Sequence, residues 1–268
     1  MEPIRVVVHG ALGKLGREVV NGLCLDPEAQ LVGAVDLKAT GGHLSLPDES
    51  GTVPISADLR DILSKCQADV LADFTIAKAT MPAARLAAEK GINLVIATTG
   101  LSAGDRSELE GLAASNKIGI VMAPNFALGA VLMIHLSKIA ARYMESAEII
   151  EQHHHLKADA PSGTAILTAK EMVEARDKPF SRPLTGEQGS KSRGEEVDGV
   201  SVHAVRLPGL MAHQEVILGA SGQTLTIRHD TINRECYLPG ILLAIKEVVK
   251  RQGLTYGLDT LLGLRGDE

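Results

Sequence analysis

The sequence predicts an α/β protein with an N-terminal Rossmann dinucleotide-binding domain and a second α+β domain built on an open mixed sheet. Near the start of the chain, a buried strand runs directly into a glycine-rich turn and an amphipathic helix. Further apolar strands alternate with helical segments up to about residue 125, which is typical of a parallel sheet. Later β-branched segments are joined by turns, which indicates a small second sheet.

Composition limits the possible functions. With 268 residues, 45% of them hydrophobic, the chain can bury a core and is long enough for two modest domains. A net charge of −6 and an aromatic content of 2% argue against a nucleic-acid surface. Three scattered cysteines indicate a reducing compartment. Because no targeting pattern and no apolar run of membrane length are present, we expect a cytoplasmic protein without membrane contact.

The glycine-rich turn at residues 10–16 is the candidate pyrophosphate site. Its GxxGxxG spacing follows the strand at residues 4–9, and such glycines let a pyrophosphate approach the amides of a helix N-terminus. Asp36 ends the second strand twenty positions after Gly16, where a dinucleotide fold has its ribose-binding acid. Asp36 favours NADH, whereas Lys14 and Lys38 suit the 2′-phosphate of NADPH, so we expect both cofactors to work. The turn comprises Gly10, Ala11, Leu12, Gly13, Lys14, Leu15 and Gly16.

Three later strand ends are candidates for the nicotinamide half of the site. Strands are predicted at 70–75, 93–100 and 118–123, and α/β sheets bind ligands at the carboxyl ends of parallel strands. A proline turn follows the last of them. The candidate residues are Phe74, Thr75, Ala97, Thr98, Thr99, Gly100, Ala123, Pro124, Asn125 and Phe126.

The rest of the chain is divided by turn signals. Residues 41–54 and 176–199 are predicted to be surface loops, because they are rich in Gly, Pro, Ser and charged residues. The second domain is predicted to begin with a helix, and a closing helix is expected to return to the first domain. The predicted helices cover 79–90, 131–144 and 241–252, and the later strands cover 148–153, 200–207, 215–218 and 224–229. The predicted domains are 1–125 plus 236–268 for the dinucleotide and 126–235 for substrate binding and oligomerisation.

Residues 151–165 bring together the most groups that can transfer protons or hold an anion. His153 and His154 end a strand and point to opposite faces unless the backbone bends. Ser162 is a predicted N-cap, so Gly163 and Thr164 occupy a helix start that suits a carboxylate or phosphate. With Lys157 nearby, the segment indicates acid catalysis on an anionic substrate.

Two structural interpretations compete with this one. The three adjacent histidines at 153–155 suggest a metal site, but closed sites usually draw spaced ligands from several elements. We therefore expect no metal. Ser-Gly-Thr after a proline is, taken alone, an ordinary helix start.

The motif Glu151-x-His153-His154-x-x-Lys157-x-Asp159-Ala160-Pro161-Ser162-Gly163-Thr164-Ala165 resembles the signature of the dihydrodipicolinate reductases (4-hydroxy-tetrahydrodipicolinate reductases) of lysine biosynthesis. The nicotinamide segments also resemble those of the family, as does a return segment at 233–240 that adds Arg234 and Tyr237 to the cofactor candidates. The family usually has Arg, Gly and Phe at the positions of Lys14, Ala97 and Tyr237.

The resemblance implies a reaction and roles for the residues of the motif. A cyclic dicarboxylate formed from 4-hydroxy-tetrahydrodipicolinate would be reduced to tetrahydrodipicolinate by hydride from NADH or NADPH, in the diaminopimelate route. His153 would supply the proton, with Lys157 as the second catalytic residue. The family also implies a homotetramer and closure of the second domain over the nicotinamide. The substrate carboxylates would be held by His154, Lys157, Gly163 and Thr164.

Two other functions remain open at this stage. A different reductase with the same Rossmann half, such as an amino-acid or imine dehydrogenase, is not expected to combine His-His-x-x-Lys with Ser-Gly-Thr. A nucleotide sensor without catalysis would keep the fold but has no need of His153 and Lys157.

Overall fold

The computed structural model describes residues 2–181 and 191–265. Part of the predicted loop at 176–199 therefore lies outside the described residues. The strands are β1 (Ile4–His9), β2 (Ala29–Val35), β3 (His43–Ser45), β4 (Thr52–Ser56), β5 (Val70–Asp73), β6 (Asn93–Ile96), β7 (Gly119–Met122), β8 (Ser146–His153), β9 (Glu195–Val197), β10 (Val200–Arg206), β11 (Ala212–Ala220), β12 (Gln223–Thr231) and β13 (Gly253–Tyr256). The α-helices are α1 (Lys14–Leu25), α2 (Leu59–Lys65), α3 (Ala77–Glu89), α4 (Ala103–Asn116), α5 (Leu128–Ala141), α6 (Gly163–Glu174), α7 (Leu238–Val248) and α8 (Leu258–Leu261).

Residue contacts divide the chain into two units, one formed by residues 1–128 with 234–268 and the other by residues 129–233. The first unit contains a sheet of order β13-β7-β6-β5-β1-β2-β4-β3, in which every pairing is parallel except that of β3 with β4. The strand order reverses beside β1, which is where doubly wound sheets bind ligands. The predicted Rossmann domain is confirmed.

The first helix packs on this sheet because its apolar residues share one face. Gly16, Val19, Val20 and Leu23 are buried and recur at the spacing of helical turns. Val6, Val7 and Val8 of β1 are all fully buried, as expected for a parallel strand covered on both faces.

The second unit contains a five-stranded sheet of order β12-β11-β8-β10-β9. The central strand β8 pairs parallel with β10 and antiparallel with β11, so the sheet is mixed, as predicted. Ala147 and Ile149 of β8 face a core that also includes Met133 of α5 and Met172 of α6. Glu151 is the next residue in the same alternation and is also buried. A carboxylate on a core-facing position requires partners.

Several predicted boundaries were wrong. The strands predicted at 70–75, 93–100 and 118–123 stop at Asp73, Ile96 and Met122. The predicted loop at 41–54 contains β3 and the start of β4, and the one at 176–199 contains β9. These short strands are largely exposed, so they lack the apolar alternation by which strands are recognised. The closing helix ends at Val248, not at 252, because the edge strand β13 follows it, beginning at a glycine with φ +93°.

Candidate active site

At two positions, the glycine turn of the first unit has no room for a side chain. Gly10 has φ +85°, and a Cβ there would lie 2.8 Å from the carbonyl oxygen of Phe74. A Cβ at Gly16 would lie 2.1 Å from the carbonyl oxygen of Gly10. Only glycine allows the turn and α1 to approach β1 and β5 this closely.

The start of α1 suits a pyrophosphate. Gly13 is its N-cap and provides no side-chain hydrogen bond, and its first turn carries no acidic residue. The first amides of a helix have no intrahelical acceptor, and the helix dipole makes this end positive. Lys14 is exposed beside these amides. The turn therefore fits the phosphates of a dinucleotide.

Asp36 has a second role that the sequence analysis did not predict. Its Oδ2 accepts a hydrogen bond from the amide of Leu12 at 2.9 Å, and its Oδ1 accepts one from the amide of Lys38 at 2.9 Å. The carboxylate thus ties the end of β2 to the glycine turn. A carboxylate has about four acceptor positions, so capacity remains for a ribose hydroxyl. Lys14 and Lys38 are both exposed.

The predicted nicotinamide segments follow β5, β6 and β7, which are neighbours in the sheet, so their carboxyl ends lie on one edge. Thr99 and Gly100 are exposed there, whereas Ala123 and Phe126 are buried. The hydroxyl of Thr75 donates to Asp73 at 2.7 Å, as does that of Thr98. These two side chains are therefore engaged inside the protein. Phe74, Ala97, Pro124 and Asn125 are partly or fully exposed, and Asn125 accepts the amide of Ala127 at 2.9 Å.

Arg234 and Tyr237 begin and end a short 3₁₀ helix that precedes α7 in the first unit. This turn contacts α1. Burial raises the pKa of Tyr237, so its hydroxyl stays protonated at neutral pH.

In the second unit, the site is built around the end of β8. Glu151 and His153 are two residues apart and share a face, and Oε2 of Glu151 lies 2.6 Å from Nδ1 of His153. Arg206, at the end of the neighbouring β10, donates to both oxygens of Glu151 at 2.7 Å. The amide of Ser162 donates to Oε1 at 3.0 Å. The one carboxylate therefore links the candidate acid to the start of α6.

Glu151 is ionised at neutral pH. Burial raises the pKa of its carboxyl group, but the hydrogen bonds from His153 and Arg206 outweigh burial and lower it to about 2. Because Nδ1 of His153 is occupied by this carboxylate, Nε2 is the ring nitrogen left for a ligand.

The turn between β8 and α6 carries the remaining candidates. The Nζ atom of Lys157 lies 2.8 Å from both carboxylate oxygens of Asp159, which lowers the pKa of that carboxyl group. Nη2 of Arg206 donates to the carbonyl oxygen of Asp159 at 2.7 Å and so holds the same turn. His154 is half-buried, and its carbonyl accepts the amide of Lys157 at 3.1 Å.

The start of α6 is capped as predicted. The hydroxyl of Ser162 accepts the amide of Ala165 at 3.2 Å. Gly163, the first residue of α6, is exposed, and a Cβ there would meet nothing within 4 Å. The first turn of α6 carries no acidic residue, which suits a carboxylate ligand.

The sequence analysis missed Arg206 and the supporting role of Glu151. Arg206 stands at the end of a strand, and Glu151 lies on the buried side of the β8 alternation. A buried carboxylate needs a cationic partner. This requirement is the one sequence signal that could have indicated an arginine beside Glu151. Within residues 2–181 and 191–265, no group of three or more His, Cys, Asp or Glu side chains is arranged to hold a metal ion. No helix in this part of the chain is long and apolar enough to cross a membrane.

Comparison with known proteins agrees with the resemblance in the motif. Residues 4–126 match the N-terminal model of dihydrodipicolinate reductase, and residues 129–262 match its C-terminal model. A 4-hydroxy-tetrahydrodipicolinate reductase of Dehalococcoides mccartyi is 57% identical over 264 residues, covering 98% of this chain and 100% of the relative. The enzyme of that name from Moorella thermoacetica is 48% identical, covering 97% of this chain and 98% of its own.

Solved structures support the same assignment. Dipicolinate-bound dihydrodipicolinate reductase from Paenisporosarcina sp. TG-14 has a TM-score of 0.85 and 37% identity, covering 96% of this chain and 99% of its own. An amine dehydrogenase from Mycobacterium smegmatis has a TM-score of 0.63 at 16% identity, over 94% of each chain, which shows a shared fold alone. The chain belongs to the dihydrodipicolinate reductase family.

Proposed function

We propose that this chain reduces 4-hydroxy-tetrahydrodipicolinate to tetrahydrodipicolinate with a nicotinamide dinucleotide, in the diaminopimelate route of lysine biosynthesis. Relatives that are 57% and 48% identical to this chain are named for this reaction. The observation that carries the residue roles is the buried, ionised Glu151, which joins His153 to the start of α6. A proton donor and an anion site are thereby held in one local structure.

His153 is the proton donor in this proposal. Loss of water from the 4-hydroxy compound gives a conjugated C=C–C=N system, to which a bound reduced nicotinamide would supply a hydride. The electron density left by hydride addition must be protonated. Glu151 fixes the orientation of the ring by its hydrogen bond with Nδ1. The proton then leaves from Nε2. Glu151 itself is buried and acts through His153, so it is a positioning residue.

The substrate carboxylates are assigned to the turn and the start of α6. Gly163 and Thr164 offer amides at a helix N-terminus whose first residue is exposed, and Lys157 offers a positive charge. Lys157 is held by Asp159, which is more than half exposed, so a substrate carboxylate competes with an easily hydrated partner. Lys157 is also the second catalytic candidate, because the same charge stabilises an anionic transition state. His154 completes the set as a hydrogen-bond donor.

The dinucleotide is assigned to the glycine turn and the strand ends of the first unit. Asp36 favours NADH and the exposed Lys14 and Lys38 favour NADPH, so both cofactors are expected to serve. A small cyclic dicarboxylate is the second ligand, and dipicolinate, bound in the related structure, has that chemistry.

The assembly proposed is a homotetramer in the cytoplasm. The support is an open face of the second sheet, where β12 carries mostly exposed side chains, Leu225 among them. Open sheet faces are suited to pairing between copies. Light scattering at micromolar concentration should give four chain masses, and a monomer would remove this face from consideration as an interface.

The decisive experiment is NADH and NADPH oxidation with 4-hydroxy-tetrahydrodipicolinate generated enzymatically in the assay. Oxidation should depend on that substrate and should not occur with amino acids or with imines that lack the two carboxylates. Tight NADH binding without any oxidation would overturn the proposal in favour of a nucleotide sensor.

A further inference from the structure

A buried carboxylate lies under the segments assigned to the nicotinamide. Asp73 ends β5 and is 1% exposed. Its Oδ1 accepts the hydroxyl of Thr75 at 2.7 Å, and its Oδ2 accepts those of Thr80 and Thr98 at 2.5 and 2.7 Å. Nδ1 of His9, at the end of β1, lies 2.8 Å from Oδ1.

This carboxylate stays ionised although it is buried. Burial raises the pKa of Asp73, but its contacts with His9, Thr80 and Thr98 lower it below its ordinary value. An ionised carboxylate only accepts hydrogen bonds, so it can satisfy all three hydroxyl donors at once. A group that must also donate would leave at least one hydroxyl without its acceptor.

Two of these hydroxyls belong to different cofactor segments. Thr75 follows β5 and Thr98 follows β6, and the hydroxyl of Thr98 also accepts the amide of Thr75 at 3.1 Å. Thr98 is 4% exposed, so its hydroxyl connects the segments inside the protein. The third donor, Thr80, lies on α3, outside these segments.

We propose that Asp73 is a positioning residue that sets the spacing of segments 74–75 and 97–100 through Thr75 and Thr98, and thereby shapes the nicotinamide end of the cofactor site. Asp73 is too deeply buried to contact the cofactor itself. The inference rests on the proposed function, which assigns these segments to the nicotinamide. The glycine turn, which is assigned to the other half of the cofactor, is tied to Asp36 by a separate hydrogen bond from the amide of Leu12, so ADP-ribose serves as the reference ligand for that half.

The test is calorimetric titration of the full chain with NADH and with ADP-ribose, which lacks the nicotinamide. Asp73→Asn should weaken NADH binding by about tenfold or more and change ADP-ribose binding by less than about twofold. Thr98→Val should act in the same direction, because it removes the link to the amide of Thr75. Thr80→Val is the matched control, since it deletes a donor to the same carboxylate from α3. It should lower the melting temperature without changing the ratio of the two affinities.

Equal weakening of NADH and ADP-ribose in both Asp73→Asn and Thr98→Val would overturn the inference, because a general loss of structure acts on both ligands. An equal change of the ratio in Thr80→Val would overturn it too. If Asp73→Asn does not fold, Thr98→Val decides alone. Substrate-dependent oxidation by the unaltered chain tests the proposed function separately, so the two ideas fail in different experiments.

Discussion

Oε2 of Glu151 lies 2.6 Å from Nδ1 of His153, and both residues lie on one face of β8. Glu148, three residues earlier, is the outer counterpart of this pair, with Oε2 2.9 Å from Nε2 of His203 and an ion pair to Arg193. The same strand therefore carries two glutamates, each with a histidine and an arginine. Of the two glutamates, only Glu151 belongs to the motif at residues 151–165.

Glu151→Gln should lower kcat by about tenfold to a hundredfold, because the ring of His153 loses its fixed orientation and its nearby negative charge. Steady-state kinetics gives kcat, and NADH affinity from fluorescence titration should stay unchanged, which separates this loss from a general loss of structure. Glu148→Gln is the matched control and should retain kcat. Normal kcat in Glu151→Gln would exclude the positioning role.

His153→Gln should reduce kcat by about a hundredfold or more, because it removes the proposed proton donor and retains a polar side chain. NADH affinity, measured by fluorescence titration, should not change, since the proposed dinucleotide site lies in the first unit. His154→Gln is the comparison and should retain far more of kcat. The reverse order of effects would assign the proton to His154.

Lys157→Met should raise the KM for the dicarboxylate by about tenfold or more, with or without a fall in kcat, because a charge proposed to hold the substrate is lost. Asp159→Asn should leave KM unchanged or lower it, since the ammonium group of Lys157 loses its present partner. Steady-state kinetics of both variants provides the test. Lys157→Met with normal KM and kcat would remove Lys157 from the site.

NADH and NADPH should give kcat/KM values that differ by less than about a hundredfold, or about 2.7 kcal/mol. The physical reason is the opposition between the carboxylate of Asp36 and the charges of Lys14 and Lys38. Lys38→Ala should shift the ratio towards NADH. A preference above a thousandfold for either cofactor would contradict this account of the charges.

Acid should destabilise the second unit through Glu151. Its folded pKa, about 2, is below the ordinary value of 4.5, so its contribution is fully present above about pH 5 and is lost as pH falls towards 2. The contribution is up to roughly 3 kcal/mol. Denaturant unfolding across this pH range, followed in the unaltered chain and in Glu151→Gln, measures it. Parallel pH dependence of the two proteins would show that Glu151 is not the group responsible.

Local chemistry explains which parts of this fold were predictable. The strand, glycine turn and helix at residues 4–25 and the N-cap at Ser162 depend on neighbouring residues, and both were predicted correctly. The pairing of Arg206 with Glu151 joins residues 55 positions apart. It depends on the register of β10 against β8, which a single sequence does not specify. The donors around Asp73 come from three elements and were missed for the same reason.

The first unit is built from two separate stretches of chain, and this determines the order in which the two units are completed during synthesis. The edge strand of its sheet is β13, which is the neighbour of β7. The helix α7 also packs closely against β7, because a Cβ at Gly119 would lie 2.2 Å from the carbonyl oxygen of Val248. During translation, β7 therefore has no outer neighbour until residues beyond 233 leave the ribosome. The second unit is continuous in sequence and emerges whole before that point. The first unit is thus the first to begin synthesis and the last to be complete.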